Sequence, residues 1–223
     1  MMIAEEIKRL HAELPEGVEL VAVSKFHPTE AIEEAYNAGQ RIFGESRVQE
    51  LASKVETLPA DIKWHFIGHL QTNKVKKLMS LHPAMIESID SVRLLEAVDA
   101  AAQTEGVTAR VLMQVHVARE ETKFGFYPEE LLEFFQNRAF ESLRATHICG
   151  VMGMASNTDD TERVRADFRA IRNVFSEIRD DESLGLRGFD ILSMGMSGDW
   201  PLAVEEGSNL VRIGSAIFGQ RVY

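Results

Sequence analysis

A single cysteine, Cys149, stands among 223 residues, so no disulfide can close within the chain. That excludes the cystine-stapled scaffolds of small secreted proteins and suits a reducing compartment; a cytoplasmic location is expected. Cys149 lies in an apolar run and reads as a small buried hydrophobe. Positive charge is also scarce. The 24 Lys and Arg are outnumbered by 35 Asp and Glu, for a net charge of −11. Such a surface repels nucleic-acid phosphates and anionic lipid, so neither nucleic acid nor membrane is an expected partner. The one short basic run, Lys74-Val75-Lys76-Lys77, reads as a solvated helix face. No apolar stretch approaches the ~20 residues that cross a bilayer. The segment Met1 to Leu10 is too acidic, and its apolar run too short, for a secretory leader. No Pro/Gly/Ser-rich linker interrupts the chain, so one domain over 1–223 is expected.

What the chain does have is alternation. Short runs rich in Val, Ile and Phe at 18–24, 41–44, 63–69, 85–90, 110–117, 147–154, 190–196 and 210–218 suit buried parallel strands. Helical spacing fills the intervals at 29–37, 48–55, 73–81, 92–103, 128–138 and 161–179. The longest carries Val164, Phe168, Ile171, Val174, Phe175 and Ile178 on one stripe. Gly39 stops the first of these helices, and Pro128 opens another. Strand–helix units repeated about eight times predict an α/β fold, a single closed (β/α)8 barrel of TIM type. An open doubly wound sheet is the alternative, weakened by the lack of G-x-G-x-x-G after the first strand. The first eleven or so residues read as an extra N-terminal amphipathic helix covering one barrel end.

In such a barrel functional groups gather at the C-terminal ends of the strands, and phosphate commonly binds after strands seven and eight. Lys25 closes the first apolar run, next to strand eight in a closed barrel. A desolvated lysine near other cations becomes nucleophilic and forms an imine with an aldehyde. The alternative is a surface lysine at a strand end. The later loops hold Ser197-Gly198-Asp199 and Gly214-Ser215-Ala216. Glycine lets backbone amides reach an anion, and serine adds a hydroxyl donor; the alternative is plain turns. An amine for an aldehyde and a cradle for a phosphate together suit one compact ligand, pyridoxal 5'-phosphate (PLP). Arg212, in Leu210-Val211-Arg212-Ile213, needs a partner when buried: a ring nitrogen, a phosphate, or a carboxylate such as an acidic residue on a neighbouring strand. In Trp64-His65-Phe66-Ile67-Gly68-His69-Leu70-Gln71 two histidines lie four apart on one strand and face one way. Hydrogen-bonded core or rim histidines are preferred to metal ligands, because no Cys/His/Asp cluster completes a tetrahedral set. The polar segment 118–126 reads as a lid, an anion-binding loop or a plain surface loop.

Further motifs occur in order along nearly the whole chain: Ala22-Val23-Ser24-Lys25, Phe43-Gly44-Glu45 with Val48-Gln49-Glu50, the histidine segment continuing to Lys74, and Lys123-Phe124-Gly125. Gly150-Val151-Met152-Gly153-Met154, Ser193-Met194-Gly195-Met196-Ser197 and Val211-Arg212-Ile213-Gly214-Ser215-Ala216-Ile217-Phe218-Gly219 complete the set. This set resembles the YggS/PROSC family, the PLP homeostasis proteins. The resemblance implies a barrel like that of alanine racemase and a Schiff base at Lys25. It implies phosphate contacts from Ser197, Gly214 and Ser215, and Arg212 facing the pyridine nitrogen. Ser46, His69 and Met196 are further candidates for cofactor contact. The family usually has Asn-Tyr where this chain has Ser46-Arg47. The implied role is to buffer or deliver PLP and to balance vitamin B6 and amino-acid pools, with little or no turnover. The implied partners are PLP and the PLP-dependent apo-enzymes that receive it; the expected form is a monomer, with a weak dimer as the alternative. The chemistry agrees, because an arginine at the ring nitrogen disfavours its protonation and weakens the ring as an electron sink. No second acid/base stands out: Tyr36 lies in a helix, Tyr127 in a loop and Tyr223 at the terminus. The alternatives are a PLP-dependent amino-acid racemase and a Schiff-base aldolase or phosphate-sugar isomerase.

Overall fold

The computed structural model describes residues 2–117 and 124–219. Lys123, Tyr223 and most of the 118–126 segment lie outside the described residues. The strands are β1 (Glu19–Val23), β2 (Ile42–Glu45), β3 (Lys63–Phe66), β4 (Met85–Ile89), β5 (Ala109–Val115), β6 (Thr146–Gly153), β7 (Ile191–Ser193) and β8 (Leu210–Ile213). They run parallel in chain order, and β8 pairs with β1 to close the barrel. The connecting helices are α2 (Thr29–Asn37), α3 (Val48–Val55), α4 (Val75–Met79), α5 (Val92–Glu105), α6 (Pro128–Gln136), α7 (Thr161–Asp180) and α8 (Trp200–Glu205). Helix α1 (Ile3–Glu13) precedes β1, and a single turn, α9 (Ser215–Phe218), follows β8. The expected (β/α)8 barrel with an extra N-terminal helix is thus the observed fold.

Local sequence explains the helix ends. Ser91 caps α5 by accepting from the Leu94 amide at 3.3 Å, and Gly106 ends it in the left-handed conformation. Asp160 caps α7 through the amides of Glu162 and Arg163. The strands obey the alternation of a pleated ribbon. Val21, Ile42, Met85, Leu112, Cys149 and Leu210 pack with one another as one apolar layer inside the barrel. Their strand neighbours Leu20, Phe43, Ile86, Val111, Ile148 and Val211 join the larger cluster formed with the helices. Two residues further along several strands the interior turns polar, with His65, Glu87, Gln114 and Arg212 all buried. An apolar floor therefore lies beneath a polar layer that faces the C-terminal mouth.

Three expectations need correction. The 210–218 run is not one strand: β8 stops at Ile213, Gly214 leaves the extended region at φ −120°, ψ −73°, and Ser215 begins α9. The 63–69 strand stops at Phe66, so His65 and His69 do not share a strand. Helix α1 does not cover a barrel end. It packs on the flank against α2 and α9. Ile7 and Leu10 are buried in that seam, and His11 is hydrogen-bonded to Gln40 at 2.9 Å.

The tightest point of the barrel wall is Gly150. The β5–β6 register slips there, with Val111 opposite Ile148 but Leu112 opposite Gly150. This bulge gives Gly150 φ +151°, and a Cβ would sit 1.9 Å from the Ile191 carbonyl oxygen of β7. Gly150→Ala should therefore cost at least the ~1–3 kcal/mol typical of overpacking, read as a lowered urea midpoint. An unchanged midpoint would show that β6 and β7 can separate freely.

Candidate functional site

A cleft of about 310 Å³ opens at the C-terminal ends of the strands, lined by Lys25, Met196, Ser197, Arg212, Gly214 and Ser215 among others. Six of the eight expected site residues thus meet in one place. Closure of β8 on β1 makes this possible, because Ala22 pairs with Ile213 one residue before Gly214. Gly214 lies so close to β1 that a Cβ would come within 3.2 Å of both the Cβ and the carbonyl oxygen of Val23. A side chain here would press on β1 and require Val23 to shift by a few tenths of an ångström. The amides of Gly214 and Ala216 both donate to the Ser197 Oγ, at 3.2 and 3.4 Å. A hydroxyl whose acceptor sites are taken still has its own O–H to donate. Gly198 faces open space, with nothing within 4 Å of a Cβ.

Lys25 lies two residues past the end of β1, half-buried in a turn. The residues on either side are held by a buried ion cluster. The Lys54 ammonium, from α3, donates to Glu45 at 2.8 Å, to Glu50 at 2.7 Å and to the Ser24 carbonyl at 2.9 Å. Ser24 Oγ donates to Glu45 at 2.6 Å, and the Phe26 amide donates to Glu50 at 2.6 Å. Phe26 has φ +68°, which a bulky residue rarely adopts, so these bonds fix a strained turn. His27 then stacks on Phe218 of α9 at 5.0 Å. Burial pushes the Glu45 carboxyl above its ordinary value, against the opposing charge and hydrogen bond of Lys54.

A second buried network lies in the polar layer. Glu87 accepts from Ser193 Oγ at 2.7 Å and is bonded to His65 Nδ1 at 2.7 Å. Arg212 donates to Ser193 Oγ at 2.5 Å and to the Gly153 carbonyl at 3.0 Å, with its Nη1 3.7 Å from Glu87. Arg212 therefore lines the cleft and is anchored to an acid on another strand as well. Burial works to raise the Glu87 carboxyl, but the hydrogen bond and charge of His65 and the charge of Arg212 outweigh it and hold it below its ordinary value. Burial pulls the Arg212 guanidinium down, opposed by Glu87 and Asp199.

Ser46 and His69 do not line this cleft; they border an adjoining recess. His69 is a rim histidine, bonded to Asp90 at 2.8 Å and stacked on Phe124 with centroids 3.7 Å apart. Among the described residues no group of three His, Cys, Asp or Glu is placed to hold a metal ion. Sequence reading missed Lys54 and Glu87. The signal for Lys54 was Glu50 four residues before it on one helix, and for Glu87 a lone charge in the apolar strand Met85-Ile86-Glu87-Ser88-Ile89.

A family model described as the alanine racemase N-terminal domain matches residues 2–222. The alanine racemase of Streptomyces lavendulae shares the fold, with a TM-score of 0.78 at 20% identity over 98% of this chain and 57% of that one. Similarity is much higher to a subset of such barrels. The pyridoxal phosphate homeostasis protein of Helicobacter pylori (strain ATCC 700392 / 26695) is 39% identical over 202 residues, 90% of this chain and 87% of its own length. PipY of Synechococcus elongatus PCC7942 superposes with TM-scores of 0.91 without PLP and 0.88 with PLP bound, at 39% and 38% identity. Those alignments cover 98% of this chain and 100% of that one. This chain belongs to the pyridoxal phosphate homeostasis protein family.

Two stability tests follow from the buried charges. Lys54→Ala strands Glu45 in the interior and should cost about 3–5 kcal/mol in urea unfolding; adding Glu45→Gln should recover part of that loss. A cost below ~1 kcal/mol, the level of an exposed pair, would mean that the cluster does not hold the turn. Glu87 has a folded value lowered from the unfolded one, so its ionised form contributes stability above about pH 4.3, the unperturbed value. That contribution is lost as pH falls through the depressed value. Urea midpoints measured across the acid range should therefore fall less steeply in Glu87→Gln than in wild type, and equal slopes would contradict the assignment.

Proposed function

We propose that this chain is a single-domain cytoplasmic carrier that holds PLP on Lys25, buffering it or delivering it to PLP-dependent apo-enzymes without efficient turnover. The observation that carries this reading is the donor set of the cleft: one amine, one serine hydroxyl joined to two backbone amides, and one guanidinium. That set fits the aldehyde, phosphate and ring nitrogen of PLP. The cleft volume of about 310 Å³ falls at the lower end of small-ligand sites. The named function of the relatives and the PLP-bound structure of PipY support the same assignment. When bound, PLP supplies an aldehyde for covalent attachment and an electron-withdrawing ring.

The residues divide the work. Lys25 supplies the amine and is fixed by the Lys54 cluster. Ser197, Gly214 and Ser215 bind the phosphate, with the Ser197 hydroxyl and nearby amides as donors. Arg212 faces the ring nitrogen, kept in place by Ser193, Gly153 and Glu87. A cation there keeps a proton off that nitrogen. Lys25 and Arg212 are the titratable groups among the described lining residues. Racemisation needs a second acid/base on the face opposite the lysine. Tyr36 is instead hydrogen-bonded to Asp61 at 2.7 Å, and Tyr127 packs edge-on against His116. These placements favour a carrier over a racemase.

Purified protein should bind PLP and yet leave L-alanine unconverted. D-alanine formation at the ~1–10³ s⁻¹ of ordinary enzymes, absent in Lys25→Ala, would replace this reading with a racemase. Removing the phosphate donor in Ser197→Ala should weaken PLP binding by the ~1.5–3 kcal/mol of a charge-assisted hydrogen bond, roughly tenfold to a hundredfold. Gly214→Val should lose more, because its side chain meets Val23 and narrows the cradle. Tight PLP binding by Gly214→Val would place the phosphate elsewhere.

A further inference from the structure

We propose that the recess beside β2 and β3 is a second binding site, specific for a small oxyanion of phosphate or carboxylate type. It measures about 230 Å³ and shares no lining residue with the cofactor cleft. Arg47 and Lys74 supply its charge, and Gln49 and Gln71 supply amide groups, over a buried apolar floor of Phe66 and Leu70. Among the described residues neither Arg47 nor Lys74 has a carboxylate within ion-pair distance. Arg9, Arg41, Arg138, Arg165, Arg179 and Arg212 are each paired with an acid, whereas Arg47, like the exposed Arg93, Arg110, Arg144 and Arg187, has no such partner among the described residues, and of these five it is Arg47 that lines the recess. No carboxylate lines the recess among the described residues, and the lining His69 is bonded to Asp90 outside it.

Arg47 is also oriented in advance. Its guanidinium carbon stands 4.6 Å from the centre of the Phe26 ring, a cation–π contact that restrains the exposed side chain and consumes none of its N–H donors in an ion pair. Lys74 is half-buried, unlike the exposed Lys76 and Lys77 of the same basic run. So the solvated-face reading of that run holds for the latter two alone. A chain of net charge −11 offers no general attraction for anions, so occupancy must come from paired local donors of this kind. The volume admits inorganic phosphate or a short carboxylate and is smaller than sites for drug-sized ligands, ~300 Å³ and above.

The test is an NMR titration of the full-length protein with sodium phosphate, and separately with sodium acetate, at constant ionic strength held by chloride. Saturable shifts of the Arg47, Gln71 and Lys74 signals are expected with at least one anion, and the stronger ligand identifies the class. Arg47→Tyr removes the guanidinium and should leave the thermal melt unchanged while weakening binding roughly tenfold or more. Lys74→Gln should weaken it in the same direction. Shifts without saturation, shifts unaltered in the Arg47→Tyr/Lys74→Gln double variant, or shifts confined to Ser197 and Gly214 would each overturn the proposal. The last of these would place the anion solely in the cofactor cleft.

Discussion

Pairing of the last strand with the first is the constraint on which the site depends. Glu19, Leu20, Val21 and Ala22 lie in register with Leu210, Val211, Arg212 and Ile213. This brings Lys25, early in the chain, beside Gly214 and Ser215 near its end. Closing so long a loop costs conformational entropy, but that cost grows only logarithmically with length. It is offset by a ladder of backbone hydrogen bonds and by the apolar layer inside the barrel. A barrel that failed to close would leave Lys25 and the Gly214–Ser215 turn with nothing to bring them into one cleft.

Charge buried above the apolar floor adds a second constraint. A guanidinium and a carboxylate inside a barrel cost desolvation free energy, and replacing such pairs with apolar residues often stabilises a protein. Arg212 and Glu87 nevertheless sit there, satisfied by Ser193, Gly153 and His65. The gain is orientation. Arg212 cannot swing away from the cleft without breaking bonds to two other strands. Lys54 plays the matching part outside the barrel wall, tying α3 to the turn that carries Lys25.

Much of this was legible in the sequence for physical reasons. Buried parallel strands announce themselves as Val/Ile-rich runs, and helices α2 and α3 matched their expected ranges because an amphipathic stripe and a glycine stop or polar flank agreed. Periodicity failed where apolar residues outlast the strand. Ile217 and Phe218 continue the apolar pattern of β8 but belong to a helical turn, since apolar character alone does not separate a short helix from a strand. The candidates on strand ends and glycine turns were picked out by their chemistry and by the family motifs, and six of them line one cleft. Lys54 and Glu87 were not, because a lone Lys or Glu is exposed in most proteins and only packing reveals that these two are enclosed.

Covalent attachment at Lys25 is the central claim, and chemical trapping tests it most directly. The protein is loaded with PLP, reduced with borohydride, digested and mapped by mass spectrometry. The label should fall on the peptide containing Lys25 and vanish in Lys25→Ala. A label carried mainly by another lysine, such as Lys74 or Lys123, would contradict the claim.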